Sequence, residues 1–144
     1  MKNIAIASDH AGHETKEFLK KNLKAEFNMV DFGAFFGESV DYPEFAHPAA
    51  SSIEKGDCEL GILLCGSGNG MQMTANKHEG IRAGLAWNTE IAELARQHND
   101  ANMISIPARY VSKEEALEIA KAFLKAEFEG GRHERRVGKI SCSC

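Results

Sequence analysis

Short apolar runs alternate with amphipathic stretches along the chain. Five of these runs are nearly continuous in apolar residues rather than alternating, which is typical of strands in a parallel sheet that helices cover on both faces. The pattern predicts strands at residues 4–8, 29–33, 60–65, 81–87 and 102–107.

The segments between these strands have apolar residues at helical spacing. Thr89 predicts an N-cap, and Ser112 followed by Glu115 predicts a capping box. Pro43 suits the first turn of a helix that Pro48 is expected to kink. The predicted helices cover residues 14–27, 43–55, 72–77, 89–97 and 113–126.

The order of elements is therefore a strand followed by a helix, repeated five times. This order predicts an α/β fold, a three-layer α/β/α sandwich around a five-stranded parallel sheet. The length of 144 residues favours a single domain over 1–144. A polar, basic segment at about 130–140 follows the fifth predicted helix and is expected to be helical, and 141–144 are expected to form a frayed tail.

Composition excludes several classes of partner. Hydrophobic residues make up 43% of the chain and charged residues 26%, and the formal net charge is -4, so neither nucleic acid nor an anionic membrane is an expected partner. No apolar run approaches the roughly 18 residues of a membrane span. The first apolar stretch is too short for a secretory signal, so we expect a cytoplasmic location.

The cysteines and histidines show no metal-binding spacing. The chain has four cysteines, none in a C-x-x-C pair, and six histidines without an H-x-x-x-H pair. We therefore expect no structural metal and no disulfide requirement in a cytoplasmic chain of this size. The cysteine positions are Cys58, Cys65, Cys142 and Cys144, and the role of the last two stays open.

Polar residues follow three of the predicted strands. Asp9 and His10 follow the first strand, Cys65 and a glycine loop end the third, and Arg109 follows the fifth. Ligands of parallel α/β sheets bind at the carboxyl ends of the strands. We therefore expect these side chains to share one edge of the sheet.

The loop after Cys65 has glycines at every second position, Gly66, Gly68 and Gly70. This spacing differs from a dinucleotide fingerprint, it follows the third strand rather than the first, and no Gly-Lys-Ser/Thr follows it. A phosphatase loop would need an arginine, and the first arginine after Cys65 is Arg82. We favour a nest of backbone N–H groups that stabilises an anion, including the oxyanion of an intermediate.

Several side chains near these elements allow both a structural and a chemical interpretation. Cys65 could be a thiolate nucleophile or base, or a small buried strand-end residue. Asp9 could transfer a proton or cap a helix. His98 could transfer a proton or compensate a helix dipole. Arg132 and Arg136, at i and i+4, could bind a phosphate-sized anion or belong to a solvated tail. Together these residues suggest chemistry on a small phosphorylated metabolite.

Motifs along nearly the whole chain, to about residue 140, resemble the ribose/galactose isomerase family. They are SDHAG, DYP, LLCGSGNGM, ANK, GIRA, RQHNDAN and EGGRHERR, in this order. The family includes type B ribose-5-phosphate isomerases and the galactose-6-phosphate and allose-6-phosphate isomerases. The resemblance implies a Rossmann-like fold, no cofactor and no metal, and a homodimer or dimer of dimers with an active site between subunits. It also implies interconversion of ribose 5-phosphate and ribulose 5-phosphate through a cis-enediolate.

The resemblance also implies residue roles. Cys65 matches the base of part of the family, Asp9 and His98 match the ring-opening pair, and Ser67 matches a group that assists proton exchange. Other members have a glutamate base where this chain has Met71, which cannot accept a proton. The matching substrate-binding positions are His10, Tyr42, Gly66, Gly68, Asn69, Gly70, Asn99, Arg109, Arg132 and Arg136.

Three alternatives remain at this point. The preferred sugar could be allose 6-phosphate or galactose 6-phosphate, since pocket length is not visible in the sequence. A non-catalytic sugar-phosphate-binding protein would keep the arginines and lose the base, so the presence of Cys65 argues against it. A nucleotide-binding module is disfavoured by the loop spacing.

Overall fold

Five parallel strands form the centre of the molecule. The computed structural model describes residues 1–142, and its sheet has the strand order β2-β1-β3-β5-β4. This confirms the predicted five-stranded parallel sheet. The strands are β1 Asn3–Ser8, β2 Asn28–Asp31, β3 Leu60–Cys65, β4 Ala83–Leu85 and β5 Met103–Pro107.

Helices cover both faces of the sheet, as predicted. A 3₁₀ turn at His10–Gly12 leads from β1 directly into the first helix. Ser112 caps the fifth helix, because its Oγ accepts a hydrogen bond from Glu115 N at 3.0 Å. The helices are α1 His13–Leu23, α2 Pro43–Glu54, α3 Asn69–Ala75, α4 Thr89–Gln97, α5 Lys113–Lys125 and α6 Arg132–Val137.

Several predicted boundaries were wrong, each for a local reason. The third helix begins at Asn69 rather than 72, because Gly68 at φ 80° starts it. The N-cap of α4 is Asn88 rather than Thr89, since Asn88 Oδ1 accepts the hydrogen bond from Ile91 N. α1 ends at Leu23, β2 covers Asn28–Asp31, and β4 is only three residues long. Pro48 lies within α2.

Two apolar layers lie on opposite faces of the sheet. Alternate strand residues point to opposite faces, so Ile4 and Ile6 pack on one side and Ala5 and Ala7 on the other. α1, α4 and α5 cover the first side, and α2 and α3 cover the second. Cys65 belongs to the second layer, together with α2 and α3.

A buried ion pair fixes the loop that follows β2. Lys16 is wholly buried, and its Nζ donates to Asp31 Oδ1 and to the carbonyl oxygen of Ala34, both at 2.7 Å. Lys20 Nζ donates to Asp31 Oδ2 at 2.6 Å. Burial alone would raise the pKa of Asp31, but the hydrogen bonds from Lys16, Lys20 and Gly33 N outweigh it and hold that pKa below the ordinary carboxyl value.

Within residues 1–142, no helix is both long enough and apolar enough to cross a membrane. Part of the predicted tail, residues 143–144, lies outside the described residues.

Candidate functional site

The carboxyl edge of the sheet collects the side chains that were predicted to meet there. In the strand register, Ser8 lies beside Leu64, and Cys65 lies beside Pro107. Asp9, the loop after Cys65 and Arg109 therefore begin at the same edge of the sheet. We call Asp9, His10, Tyr42, Cys65–Gly70 and Arg109 the carboxyl-edge group.

Cys65 is the last residue of β3 and is held on both sides. It is a free cysteine with 4% of its surface exposed, and its carbonyl oxygen accepts a hydrogen bond from Ala108 N at 2.9 Å. The structural interpretation, a small buried strand-end residue, is thus correct for its position. The same position places the thiol at the mouth of the glycine loop.

The glycine loop is tightly enclosed at Gly68. This residue has φ 80°, and a Cβ atom there would lie 2.6 Å from Leu85 Cδ1. Ser105 Oγ donates a hydrogen bond to the Gly68 carbonyl at 2.7 Å from beneath the loop. Only glycine fits this conformation and this space. The loop therefore turns sharply from the end of β3 into α3.

Tyr42 and Arg109 lie directly against the loop. A Cβ atom on Gly70 would lie 2.7–2.8 Å from atoms of the Tyr42 ring, and one on Gly66 would lie 3.0 Å from Arg109 Nη1. The absent side chains thus let an aromatic ring and a guanidinium approach the backbone. Ser67 and Asn69 are exposed between them, and Asn69 N donates to Ser67 Oγ at 3.3 Å.

Asp9 and His10 are fixed by backbone groups. Asp9 is 7% exposed, and its Oδ1 accepts hydrogen bonds from Ala11 N at 2.9 Å and Gly12 N at 3.2 Å, so the capping interpretation is confirmed. His10 Nδ1 accepts from Val40 N at 3.2 Å. A neutral His10 in this arrangement has its proton on Nε2, which can donate to an anion.

His98 and Asn99 lie at the opposite, amino edge of the sheet. His98 caps the end of α4, and β5 begins soon afterwards at Met103. Because β5 has five residues, its two end residues are about 13 Å apart. Asp100, at φ 47°, accepts from Arg82 Nη2 at 3.3 Å and Arg96 Nη1 at 2.9 Å, which fixes the turn that carries both residues.

The C-terminal basic segment returns to His98. The His133 ring, on α6, stacks on the His98 ring with centroids 4.2 Å apart. Glu129 Oε1 lies 3.4 Å from His98 Nε2 and 3.8 Å from His133 Nε2. α6 buries none of its residues, and Arg132 and Arg136 are exposed on it. His98, Asn99, Arg132 and Arg136 form what we call the amino-edge group.

Sequence reasoning did not identify Glu129 and His133. Their i, i+4 spacing was a usable signal, but nothing local ties them to His98, which is distant in sequence. Burial, then the neighbouring His98 and Arg132, lowers the pKa of His133, although Glu129 opposes this. His133 is therefore harder to protonate than an ordinary imidazole.

One chain thus brings the predicted site residues together as two groups, not one. The carboxyl-edge group has the thiol, the glycine loop, Asp9 and one arginine. The amino-edge group has a histidine, an amide and two arginines at the other end of the strands. Neither group alone contains all the predicted acid/base and phosphate-binding side chains.

Comparison with known proteins gives one consistent result. The family model described as Ribose/Galactose Isomerase matches residues 4–140. The ribose-5-phosphate isomerase B of Escherichia coli is 39% identical over 142 residues, which cover 98% of this chain and 95% of that protein. A ribose 5-phosphate isomerase structure from Thermotoga maritima has a TM-score of 0.94 and 46% identity and covers 97% of both chains.

A second solved structure has a sugar phosphate bound. It is ribose-5-phosphate isomerase B from Mycoplasma genitalium with bound ribulose-5-phosphate, with a TM-score of 0.91 and 45% identity over 96% of this chain and 93% of that one. The fold, the motifs and the matched length agree, and the chain belongs to the ribose/galactose isomerase family.

Proposed function

We propose that this protein is an aldose–ketose isomerase that interconverts D-ribose 5-phosphate and D-ribulose 5-phosphate. Family membership and the ribulose-5-phosphate complex of a 45% identical relative support this function. The observation that carries the proposal is the carboxyl-edge group, where the free cysteine Cys65 directly precedes a glycine loop bordered by Tyr42 and Arg109.

Cys65 is the proposed base. Its thiolate removes the proton from C2 of the open-chain sugar and returns it to C1, with a cis-enediolate between the two steps. Met71 stands where other family members have a glutamate, and it is wholly buried in the α2/α3 layer. A thioether takes no proton, so within this loop the thiol is the group suited to the task.

The glycine loop stabilises the enediolate in this mechanism. Backbone N–H groups of residues 66–70 offer hydrogen bonds to the developing negative charge, and rigid donors do this without reorganisation. Ser67 Oγ is exposed at the loop and assists proton exchange between the two enediolate oxygens. Tyr42 lines the pocket against Gly70.

Ring opening and phosphate binding need residues from both groups. Asp9 and His98 act on the ring oxygen and hydroxyl of the closed sugar, since one group must take a proton and the other must give one. Asn99 binds a sugar oxygen. The proposed phosphate-binding side chains are His10 and Arg109 from the carboxyl edge and Arg132 and Arg136 from the amino edge.

We further propose that the active site forms between two subunits of a homodimer, or of a dimer of dimers. The argument is the separation of the two groups, because the length of a strand lies between them in one chain. A second copy that presents its amino-edge group to this carboxyl-edge group completes the site. In a symmetric dimer the same contact then occurs twice.

Mixing two inactive variants tests both proposals. Cys65→Ala and His98→Gln should each abolish turnover alone, but together, after subunit exchange, they should restore activity at about a quarter of the sites. The control mixes each variant with more of itself and should stay inactive. If the mixture also stays inactive while chromatography shows exchanged dimers, the intersubunit site is excluded.

The sugar preference has its own measurement. We expect kcat/KM on ribose 5-phosphate to exceed that on allose 6-phosphate and galactose 6-phosphate. A preference for either hexose phosphate would move the protein to the alternative function within the family. A role in the pentose phosphate pathway and a cytoplasmic location belong to the same proposal, since a reducing compartment keeps Cys65 as a thiol.

A further inference from the structure

We propose that His98, Glu129 and His133 form a transition-metal site, suited to Zn²⁺, whose occupation inhibits the isomerase. The binding site itself is independent of the proposed function. The inhibition rests on that function, because it depends on the role of His98 in ring opening.

The spacing of the ligand atoms fits a metal ion. One ring nitrogen from each histidine and one Glu129 carboxylate oxygen all lie within 4.8 Å of one another. Glu129 Oε1 is 3.4 Å from His98 Nε2 and 3.8 Å from His133 Nε2. Tetrahedral zinc with bonds of about 2.0–2.1 Å separates its ligand atoms by about 3.4 Å. The distance from Glu129 Oε1 to His98 Nε2 therefore matches, and the distance to His133 Nε2 must shorten slightly.

The ligand chemistry also favours zinc. Two imidazoles and one carboxylate form a set that zinc uses where it keeps one position open. Neutral imidazole is the form of histidine that binds metals. The two rings are stacked with 14° between their planes, so they must tilt apart for both nitrogens to face one ion.

The protein partly prepares this cluster. Glu129 N donates to the carbonyl oxygen of Gln97 at 3.0 Å, which ties the ligand-bearing segment to the end of α4. Arg132 and Arg136 on α6 oppose a dication electrostatically. We therefore expect weaker binding than at a structural zinc site, and reversible occupation.

Occupation has a clear consequence for catalysis. A zinc ion on His98 Nε2 takes the lone pair at that nitrogen, so His98 no longer exchanges a proton there. The sugar phosphate and the metal then compete for the same end of the site. The uninhibited enzyme needs no metal, so treating zinc-free protein with EDTA should leave its turnover unchanged.

Zinc binding to the full chain is measured first, by competition with a chromophoric zinc chelator. We expect about one Zn²⁺ per chain, and at least about tenfold weaker binding in Glu129→Gln and in His133→Gln. Glu127→Gln, an exposed neighbour on the same segment, is the matched control and should bind like the parent. Circular dichroism checks that every variant is folded.

Two further variants test whether the bound zinc lies elsewhere on the protein. Cys65→Ala removes the thiol, and His47→Gln removes the other close histidine pair, where His47 Nδ1 lies 2.7 Å from His78 Nε2. Both should retain zinc binding. If either of them loses it, or if Glu129→Gln and His133→Gln bind zinc like Glu127→Gln, the proposed site is wrong.

Turnover is then measured with added zinc. We expect zinc to inhibit the parent protein, ribose 5-phosphate to protect it and EDTA to reverse the loss. Zinc bound at the cluster without loss of turnover would overturn the inhibitory half of the proposal. Zinc-free protein that isomerises no sugar phosphate would instead overturn the proposed function, while the binding measurements still decide the metal site.

Discussion

The acid/base side chains of the two groups differ in how far they are withdrawn from solvent. In the carboxyl-edge group, Cys65 is 4% exposed and Asp9 is 7% exposed. In the amino-edge group, the His98 side chain is 38% exposed, and α6 buries none of its residues. A proton-transferring thiol benefits from a fixed, partly desolvated position, whereas groups that reach toward another molecule must be presented outward.

Each group lies beside a carboxylate that is held between two cationic side chains, and we call this carboxylate its support. The two supports differ in burial. Near the carboxyl edge, Asp31 lies between Lys16 and Lys20, and its side chain is 13% exposed. At the amino edge, Asp100 lies between Arg82 and Arg96, and its side chain is 33% exposed. Each half of the site thus rests on one carboxylate between two cations. Replacing the more buried carboxylate, Asp31, should therefore cost more free energy of unfolding than replacing Asp100.

The largest expected effect breaks the carboxyl-edge group at its base. We expect Cys65→Ala to lower kcat at least about 1,000-fold while ribose 5-phosphate still binds, because only the proton acceptor is lost. Cys58→Ala is the matched control, since Cys58 is a buried cysteine in the same apolar layer. Steady-state kinetics and calorimetry measure the two quantities. Near-normal turnover would falsify the assignment of Cys65 as the base.

Replacing the two supporting carboxylates should destabilise the protein by different amounts. Asp31→Asn leaves the buried Lys16 ammonium with only the more distant and exposed carboxylate of Glu17, at 3.7 Å. We expect a loss of about 3 kcal/mol in the free energy of unfolding. Asp100→Asn, at a more exposed position, should cost about 1 kcal/mol. Denaturant unfolding compares the two variants. Equal losses would show that burial does not distinguish the supports.

The lowered pKa of Asp31 also predicts how the stability of the protein changes in acid. Because the pKa of Asp31 is lowered in the fold, its stabilisation is complete above the ordinary carboxyl pKa. It is lost as the pH falls through the lowered value. The parent protein should therefore lose this contribution in acid, and Asp31→Asn should show a shallower loss over that range.

Within the amino-edge group, Arg136 should affect binding more than chemistry. We expect Arg136→Ala to raise KM for ribose 5-phosphate about 30-fold with a smaller change in kcat, because a charge-assisted hydrogen bond to phosphate is lost. Arg135→Ala, the exposed arginine beside it, is the control. An unchanged KM would remove Arg136 from the phosphate-binding set.

The smallest expected effect separates steric enclosure from backbone strain. Gly68 and Gly56 have similar φ angles, 80° and 83°, but a Cβ atom meets Leu85 only at Gly68, and at Gly56 it meets nothing within 4 Å. We expect Gly68→Ala to destabilise the protein by about 1–2 kcal/mol more than Gly56→Ala. Thermal unfolding measures the difference, and equal shifts would mean that the loop is not tightly enclosed.

The sequence predicted one half of the site much better than the other. Nearly continuous apolar runs predicted the five strands, and the rule for carboxyl ends then placed Asp9, Cys65 and Arg109 together. His98 and Arg136 could be placed in the site only by resemblance. The segment that carries Arg136 meets the end of α4 only through contacts between residues distant in sequence, such as the stacking of His133 on His98. Contacts between segments distant in sequence leave no periodic signal.

Boundaries were less predictable than elements. The start of α3 depends on a left-handed glycine, and the cap of α4 depends on which of two adjacent polar residues turns its side chain toward the helix. Both Asn88 and Thr89 suit an N-cap chemically. The hydrogen bond to Ile91 N decides between them, and it exists only in the folded backbone.

The burial of Lys16 has a consequence for chemical labelling. Its ammonium is hidden beneath the Ala34 carbonyl, whereas the Lys125 side chain is 59% exposed. An amine-reactive reagent should therefore acylate Lys125 at once and Lys16 only when the loop over residues 34–41 opens. The labelling rate at Lys16, measured by mass spectrometry, therefore reports how often this loop opens. The same loop carries Val40, whose N–H donates a hydrogen bond to His10.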